Sequence, residues 1–386
     1  MSSFSHDNWM SAPFSRNAFH QIDGFLDTEA IAAGPGAPVE LTDATGDVDW
    51  AGATVPGVHG ETVSLDEFLT ETRTDAFLVL QGASVLREEY FGGNTSSTRH
   101  IAMSVSKSFG GMLAGVLVGD GMLNADASVT DYIPELAGGA YDGATVRQVL
   151  DMTAAPDFDM TYLGPDTEVQ LGDRCAGWRP RLGDEPGGTR EFLRSLRGHG
   201  AHGSRFQYCS ATTDVLAWTL ERAASTPYGQ LMHDRIWRHL GAEADAFITV
   251  DEFGVPYACA GMGMRLRDLA RFGLLLKEGG RRAGRQVVPA EWIAQTMRGG
   301  DVDASEGNHG AVTYRNQWWV PRDGTSGMFA VGIFGQYLWV DPGRDIVIAK
   351  FSSNPHPVDS LPTQETALPV IAEFAASERR AGAFLA

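Results

Sequence analysis

Lysine is scarce in this 386-residue chain: of its 30 basic residues only Lys107, Lys277 and Lys350 are lysines, and the rest are arginines. Arginine holds its proton in a protein whereas a desolvated lysine can release one, so a lysine at position 107 points to a need for an amine that can be neutral. Cysteine is equally sparse. Cys175, Cys209 and Cys259 are an odd set with no metal-ligand spacing, which argues against both a disulfide framework and a zinc site and fits reduced thiols. No apolar run is long enough to span a bilayer, and Met1-Ser2-Ser3-Phe4-Ser5-His6-Asp7 opens polar rather than as a basic-then-apolar leader. The expectation is a cytoplasmic location without a membrane partner. There is no His-Glu-x-x-His, Walker-type glycine loop or Gly-x-Ser-x-Gly elbow, and no cofactor is expected.

Positive charge as a whole is also short. The formal net charge of −19 and a pI near 4.9 argue against nucleic acid or an anionic membrane as partner. An acidic surface favours cationic or zwitterionic small molecules. What the chain does have is apolar mass: 43% hydrophobic and 10% aromatic residues are ample for a large core.

Along the chain, residues 1–70 are mixed and turn-rich, with Gly34-Pro35-Gly36-Ala37-Pro38 as a breaker cluster, and read as a wrapping arm. Phe77–Gln81 and Val85–Phe91 flank a Gly82-containing turn and predict a hairpin. From about 112 to 299 the periodicity is mostly helical, with helices at Thr145–Leu150, Asp214–Ala224 and Arg267–Leu276 and a Gly/Pro/Asp-rich loop over 156–190. Strands return at Phe329–Val340 and Asp345–Ser352 around Asp341-Pro342-Gly343-Arg344, and an amphipathic helix over about 363–380 ends the chain. This order predicts an α/β (α+β) fold. An antiparallel sheet is built from both chain ends (about 71–111 and 300–386) and flanked by helices, with a mostly helical lobe (about 112–299) inserted between them.

Lys107 follows Ser104 by three residues in Ser104-Val105-Ser106-Lys107. On a helix that spacing puts both side chains on one face. A neutral lysine there would take the serine proton and leave an alkoxide-like nucleophile. The segment Ser108–Val118 is apolar and rich in small residues, as in a buried helix ending near Gly119 to Gly121, which places Ser104 at a positive helix N-terminus. A third group must carry the proton to the leaving atom, and Tyr208 in Arg205-Phe206-Gln207-Tyr208-Cys209-Ser210 is the candidate.

Ser104-x-x-Lys107, then Tyr208-x-Ser210 about a hundred residues on, then a glycine-bearing strand before Trp339-Val340-Asp341-Pro342, resembles the serine β-lactamase and penicillin-recognising superfamily. Within it, Asp75–Leu80, Met103–Ser108, Val169–Trp178, Phe206–Trp218, Gln317–Trp319 and Ile333–Pro342 resemble the 6-aminohexanoate-dimer hydrolases, cousins of the β-lactamase-like carboxylesterases. The resemblance implies a β-lactamase-like catalytic domain over 71–386. It also implies an acyl-enzyme mechanism with Ser104 as nucleophile, Lys107 as general base and Tyr208 as proton relay. The oxyanion would be held by the backbone N–H groups of Ser104 and, by alignment on the Asp341-Pro342 turn, Ile333. Tyr162 and Asp173 match substrate-binding residues, with Asp173 expected to take a free ammonium. Trp319 matches a cleft-lining tryptophan, and Cys259 stands where some members carry asparagine.

Two departures bear on specificity. Ala330-Val331-Gly332 stands where the resembled superfamily carries Lys-Thr-Gly, which argues against β-lactamase or peptidoglycan-peptidase activity, and Phe334 stands where the resembled hydrolases carry histidine. The expected substrate is a small ester or linear amide, such as the 6-aminohexanoate linear dimer. A short-chain carboxylesterase and a non-catalytic ligand sensor on the same fold are the alternatives, and a homodimer is what the resemblance suggests.

Overall fold

The computed structural model describes residues 4–164, 167–198, 200–302, 304, 312–322 and 324–385. Strand Thr74–Gln81 is buried from end to end save its last residue, and Ile346–Ser352 throughout. The two pair antiparallel, with Ala76 opposite Phe351 and Gln81 opposite Ile346, so the sheet is closed from both ends of the chain as expected. Across it run Val312–Arg315, Trp318–Pro321, Met328–Gly332, Gln336–Asp341, Ile346–Ser352, Thr74–Gln81, Ser84–Tyr90 and Thr42–Asp43; only the last pairs in parallel.

Continuous apolar runs arise because both faces of this sheet are covered. Phe77, Val79, Ile346 and Ile348 face the C-terminal helix Leu361–Leu385 through Leu368, Ile371 and Ala375. Leu78, Leu80, Val347 and Ala349 face the opposite layer, which holds helices Val105–Gly119 and Leu266–Lys277. Fully burying each such side chain is worth roughly 1.5–3 kcal/mol. Leu266–Lys277 reaches the sheet closely because Gly273 has no Cβ: one would sit 2.6 Å from Val347 and 2.9 Å from Leu338. Helix Ala290–Arg298 also packs on the sheet and on Val105–Gly119. The sequence position of these two helices had placed them in the inserted lobe. Helical periodicity reports that a face is buried but not which layer buries it.

Other boundaries move as well. The stretch 156–190 is not one loop: it contains helix Glu168–Cys175 and the start of Gly188–Ser195. The helix expected from Asp214 begins at Ser210. The expected strand over 329–340 breaks at Ile333-Phe334-Gly335, a tight hairpin with Phe334 at φ 65° and Gly335 at φ 93°. A second sheet, in the order Thr28–Ile31, Ala246–Thr249, Met262–Arg265 and Arg99–Ile101, was not anticipated. Its edge strand Arg99–Ile101 feeds directly into Ser104.

Helix Val105–Gly119 is the central pillar, and two glycines let it be so. A Cβ on Gly111 would lie 1.9 Å from the Asn316 carbonyl oxygen, and one on Gly115 would lie 2.3 Å from the Trp292 ring. Gly111→Ala is therefore expected to lower unfolding stability by about 1–3 kcal/mol in urea denaturation. An unchanged midpoint would show that the close approach is dispensable.

Lys350 is fully buried in the central strand, donating to Gln364 Oε1 at 2.7 Å and to Ser352 Oγ. Burial pushes its amine down to about 7, against the pull of the Asp75 carboxylate. From about pH 7 up to the ordinary lysine value near 10, the unfolded chain holds a proton that the folded one lacks, so this group makes stability rise with pH there. Lys350→Met should remove that rise. Urea midpoints of both proteins at pH 7 and 9.5 test it, and equal gains in the two would refute it.

Candidate active site

Ser104 caps the positive end of Val105–Gly119, immediately after Met103, which holds the left-handed region at φ 48°. Strand Arg99–Ile101 pins the entry and the helix pins the exit, so the serine is fixed from both sides. Its Oγ accepts from Lys107 Nζ at 2.9 Å. The same ammonium donates to the Cys259 carbonyl at 2.8 Å and to Ser210 Oγ at 3.3 Å, and the lysine is 1% exposed. Three donors meet three acceptors.

This arrangement reverses one expectation. Burial, the largest single influence, pushes the Lys107 amine down, but the Tyr208, Cys259 and Asp214 groups around it push it up further, and its proton affinity ends above the ordinary lysine value. The resting Lys107 is an ammonium, because the surroundings supply acceptors as well as low dielectric. Asp214 lies one turn beyond Ser210 and accepts from the Cys259 N–H at 2.9 Å; burial pushes its carboxyl up to about 7.

Tyr208 lies over the lysine, whose Nζ is 5.2 Å from the ring centroid. Behind it Trp319 stacks at 5.6 Å and 25°, and Tyr314 stands nearly perpendicular at 6.2 Å. Trp319 belongs to the second core cluster and supports Tyr208 from behind; it is not on the cavity wall, contrary to expectation. Its strand position opposite Phe329 turns it into the sheet's covered face.

A cavity of about 620 Å³ opens at Ser104 and is also lined by Tyr162, Asp173, Cys259 and Ile333. Ile333 follows strand Met328–Gly332, and that strand end touches the Ser104 backbone. A Cβ on Gly332 would lie 2.8 Å from Ala102 O and 3.0 Å from Ser104 N. Among the described residues the backbone N–H groups of Ser104 and Ile333 have no hydrogen-bond acceptor. Cys259 contributes its carbonyl to the lysine, while burial holds its thiol well above the usual range.

Asp173 is buried in the wall but not unpaired. Its carboxylate accepts from Arg179 Nε at 3.0 Å and from Tyr257 Oη at 2.9 Å. Burial pushes this carboxyl up, with the two donors opposing. An ammonium at Asp173 would therefore have to compete with a guanidinium already in place.

Sequence reasoning quoted Ser210 in the Tyr208-x-Ser210 motif but gave it no role, and it missed Asp214, Arg179 and Tyr257. Ser210 and Asp214 lie within the matched segment Phe206–Trp218, and their i to i+4 spacing was the available signal. Arg179 and Tyr257 carried none. Also missed were Met10-Ser11-Ala12 and Pro355-His356-Pro357, which bring both chain ends to the cavity rim.

With this geometry in view, comparison with known proteins is decisive: residues 65–372 match the beta-lactamase family. The chain belongs to that family. It is 42% identical over 360 residues to the 6-aminohexanoate-dimer hydrolase of Paenarthrobacter ureafaciens, covering 91% of this chain and 88% of the relative. A solved Bacillus anthracis structure, provisionally described as a 6-aminohexanoate-dimer hydrolase, superposes with a TM-score of 0.86 at 25% identity, over 99% of this chain and 98% of that one. A family VIII carboxylesterase structure shares the fold at 14% identity, with a TM-score of 0.59 over 78% of this chain and 93% of its own. Among the described residues no helix is long and apolar enough to cross a membrane.

For a member of this family, the contact between Gly332 and Ser104 makes a direct prediction. Gly332→Ala must push the strand end off Ser104, and fluorophosphonate labelling of Ser104 should slow roughly a hundredfold. Thermal unfolding checks that the fold survives. Labelling at the native rate would show that the strand end takes no part.

Proposed function

We propose that this protein is a serine hydrolase that cleaves small linear amides and esters through an acyl-enzyme. The observation that carries the reading is the 2.9 Å bond from buried Lys107 to Ser104 Oγ at the mouth of the cavity. Ser104 attacks the carbonyl carbon, and its proton passes to the Lys107–Tyr208 pair. To accept that proton the pair must hold a single exchangeable proton between them, as neutral amine with phenol or as ammonium with phenolate. Tyr208 then delivers the proton to the departing amine or alcohol, and water releases the acyl group by the reverse path. The free N–H groups of Ser104 and Ile333 receive the developing oxyanion, each worth about 3 kcal/mol.

The substrate class we favour is a linear amide of short ω-amino acids, with the 6-aminohexanoate linear dimer as its test case. The Paenarthrobacter relative's name supports that class. A short-chain carboxylesterase is the second reading, favoured by Phe334 and Cys259, which make part of the wall apolar.

Hydrolysis of p-nitrophenyl butyrate and of the linear dimer, side by side, separates the two. Both should be cleaved, and Ser104→Ala should abolish both. Lys107→Arg, which keeps the charge but cannot give up a proton, should lower kcat roughly 10²–10⁴-fold. Ester cleavage alone selects the carboxylesterase. Wild-type rates in Lys107→Arg would refute the serine–lysine mechanism.

A further inference from the structure

The Asp173–Arg179 pair is unevenly satisfied. Both carboxylate oxygens are engaged, Oδ2 by Arg179 Nε and Oδ1 by the Tyr257 hydroxyl. The guanidinium is not. It uses Nε alone, and among the described residues its two terminal nitrogens have no partner. The side chain keeps 28% of its exposure and lines the same cavity as Ser104. Asp173 and Arg179 both line the cavity, and of the two it is the cation that has unengaged hydrogen-bonding groups left, since the carboxylate already holds two donors.

We propose that Arg179 is a subsite for a substrate's terminal carboxylate, remote from the scissile bond. This inference rests on the hydrolase reading and narrows it to acid-tailed amides and esters. The open edge of a guanidinium carries paired N–H groups whose spacing matches the two oxygens of a carboxylate. Asp173 and Tyr257 are positioning residues. Asp173 fixes the guanidinium through Nε, and Tyr257 holds Asp173 from the other side, so the fork arrives preorganised.

The ion pair also changes what Asp173 can do. A substrate ammonium would have to displace Arg179 from a buried carboxylate, at the cost of leaving a cation without its partner. The chain's net charge of −19 repels anions at long range, so recognition here depends on short-range bidentate contact. Unlike a lone positive charge, such contact discriminates arginine from lysine.

Two acid–neutral pairs test the proposal on either side of the scissile bond. N-butyryl-6-aminohexanoate against N-hexylbutyramide places the carboxylate on the leaving group; p-nitrophenyl hydrogen adipate against p-nitrophenyl hexanoate places it on the acyl group. In at least one pair the wild type should favour the acid, and Arg179→Gln should cut the acid-to-neutral ratio of kcat/KM about tenfold or more, mainly through KM. Arg179→Lys, which keeps charge and bulk, should restore only part of it. An unchanged ratio in both pairs overturns the proposal. So does a faster Arg179→Gln on 6-aminohexanoyl hexylamide combined with a selectively weakened Asp173→Asn, the pattern of an ammonium site. If the wild type cleaves none of these, nor p-nitrophenyl butyrate or the linear dimer, the hydrolase reading fails by itself. Calorimetric titration with hexanoate and hexylamine then decides the subsite: binding of hexanoate that is lost in Arg179→Gln supports it, and hexylamine binding alone refutes it.

Discussion

The buried ammonium of Lys107 is the point on which the site is assembled. Its three bonds reach Ser104 on its own helix, Ser210 at the start of another, and Cys259 on the chain entering strand Met262–Arg265. A buried charge tolerates no missing partner, because an uncompensated cation in a dry interior costs several kcal/mol. The three segments are therefore held in one geometry. Asp214 closes the arrangement from behind, tying the Cys259 N–H to the helix that carries Ser210. Ser104 is placed by the same contacts that keep the lysine satisfied.

A second polar node stands on the far side of the pillar helix. Gln317 donates to the Val149 and Leu150 carbonyls, accepts from Thr213 Oγ1, and offers its own carbonyl to Ser108 Oγ. Asn316 and Gln317 both hold positive φ, at 52° and 67°, to make this turn, and the missing Cβ of Gly111 leaves room for the Asn316 carbonyl. Strain at two residues is offset by at least four buried hydrogen bonds. The cavity wall has its own brace: Trp9 donates to the Trp178 carbonyl, Trp178 donates to Thr249 Oγ1, and the Trp178 ring packs edge-on against Tyr257. The N-terminal residues thus support the wall that carries Asp173 and Arg179.

What was legible in the sequence was local or periodic. The hairpin around Gly82, the strands about the Asp341-Pro342 turn and the Ser104-x-x-Lys107 helix all follow from patterns a few residues long. The joining of both chain ends in one sheet followed from element order. What escaped were contacts made across sequence distance with no local signature. Arg179 is a surface-type residue in a Gly/Pro-rich loop, and only the fold brings it to Asp173. Trp319 was assigned to the cleft by the family resemblance alone, whereas strand pairing turned it behind Tyr208. Ile333 was located by alignment on the turn, but its release from the ladder depends on the hairpin at Phe334, which the apolar run concealed.

The scarcity of lysine drew attention to Lys107, a buried amine, but gave no guide to its charge. Lys107 and Lys350 are both fully buried, and desolvation alone would drive each toward neutrality. They diverge because of what surrounds them. Lys350 faces Gln364, Ser352 and the more distant Asp75, mostly neutral dipoles, and its amine falls to about 7. Lys107 faces a carbonyl, two hydroxyls, and the ionisable groups of Tyr208, Cys259 and Asp214, which hold its proton. Burial sets the cost of a charge, and the neighbours decide whether it is met. On the proposed mechanism a charged lysine reaches the neutral state only where a base, such as a tyrosine phenolate, takes its proton. The structure therefore shifts the chemical question from the lysine to the Lys107–Tyr208 pair, where stacking on Trp319 keeps the phenol ring over the amine.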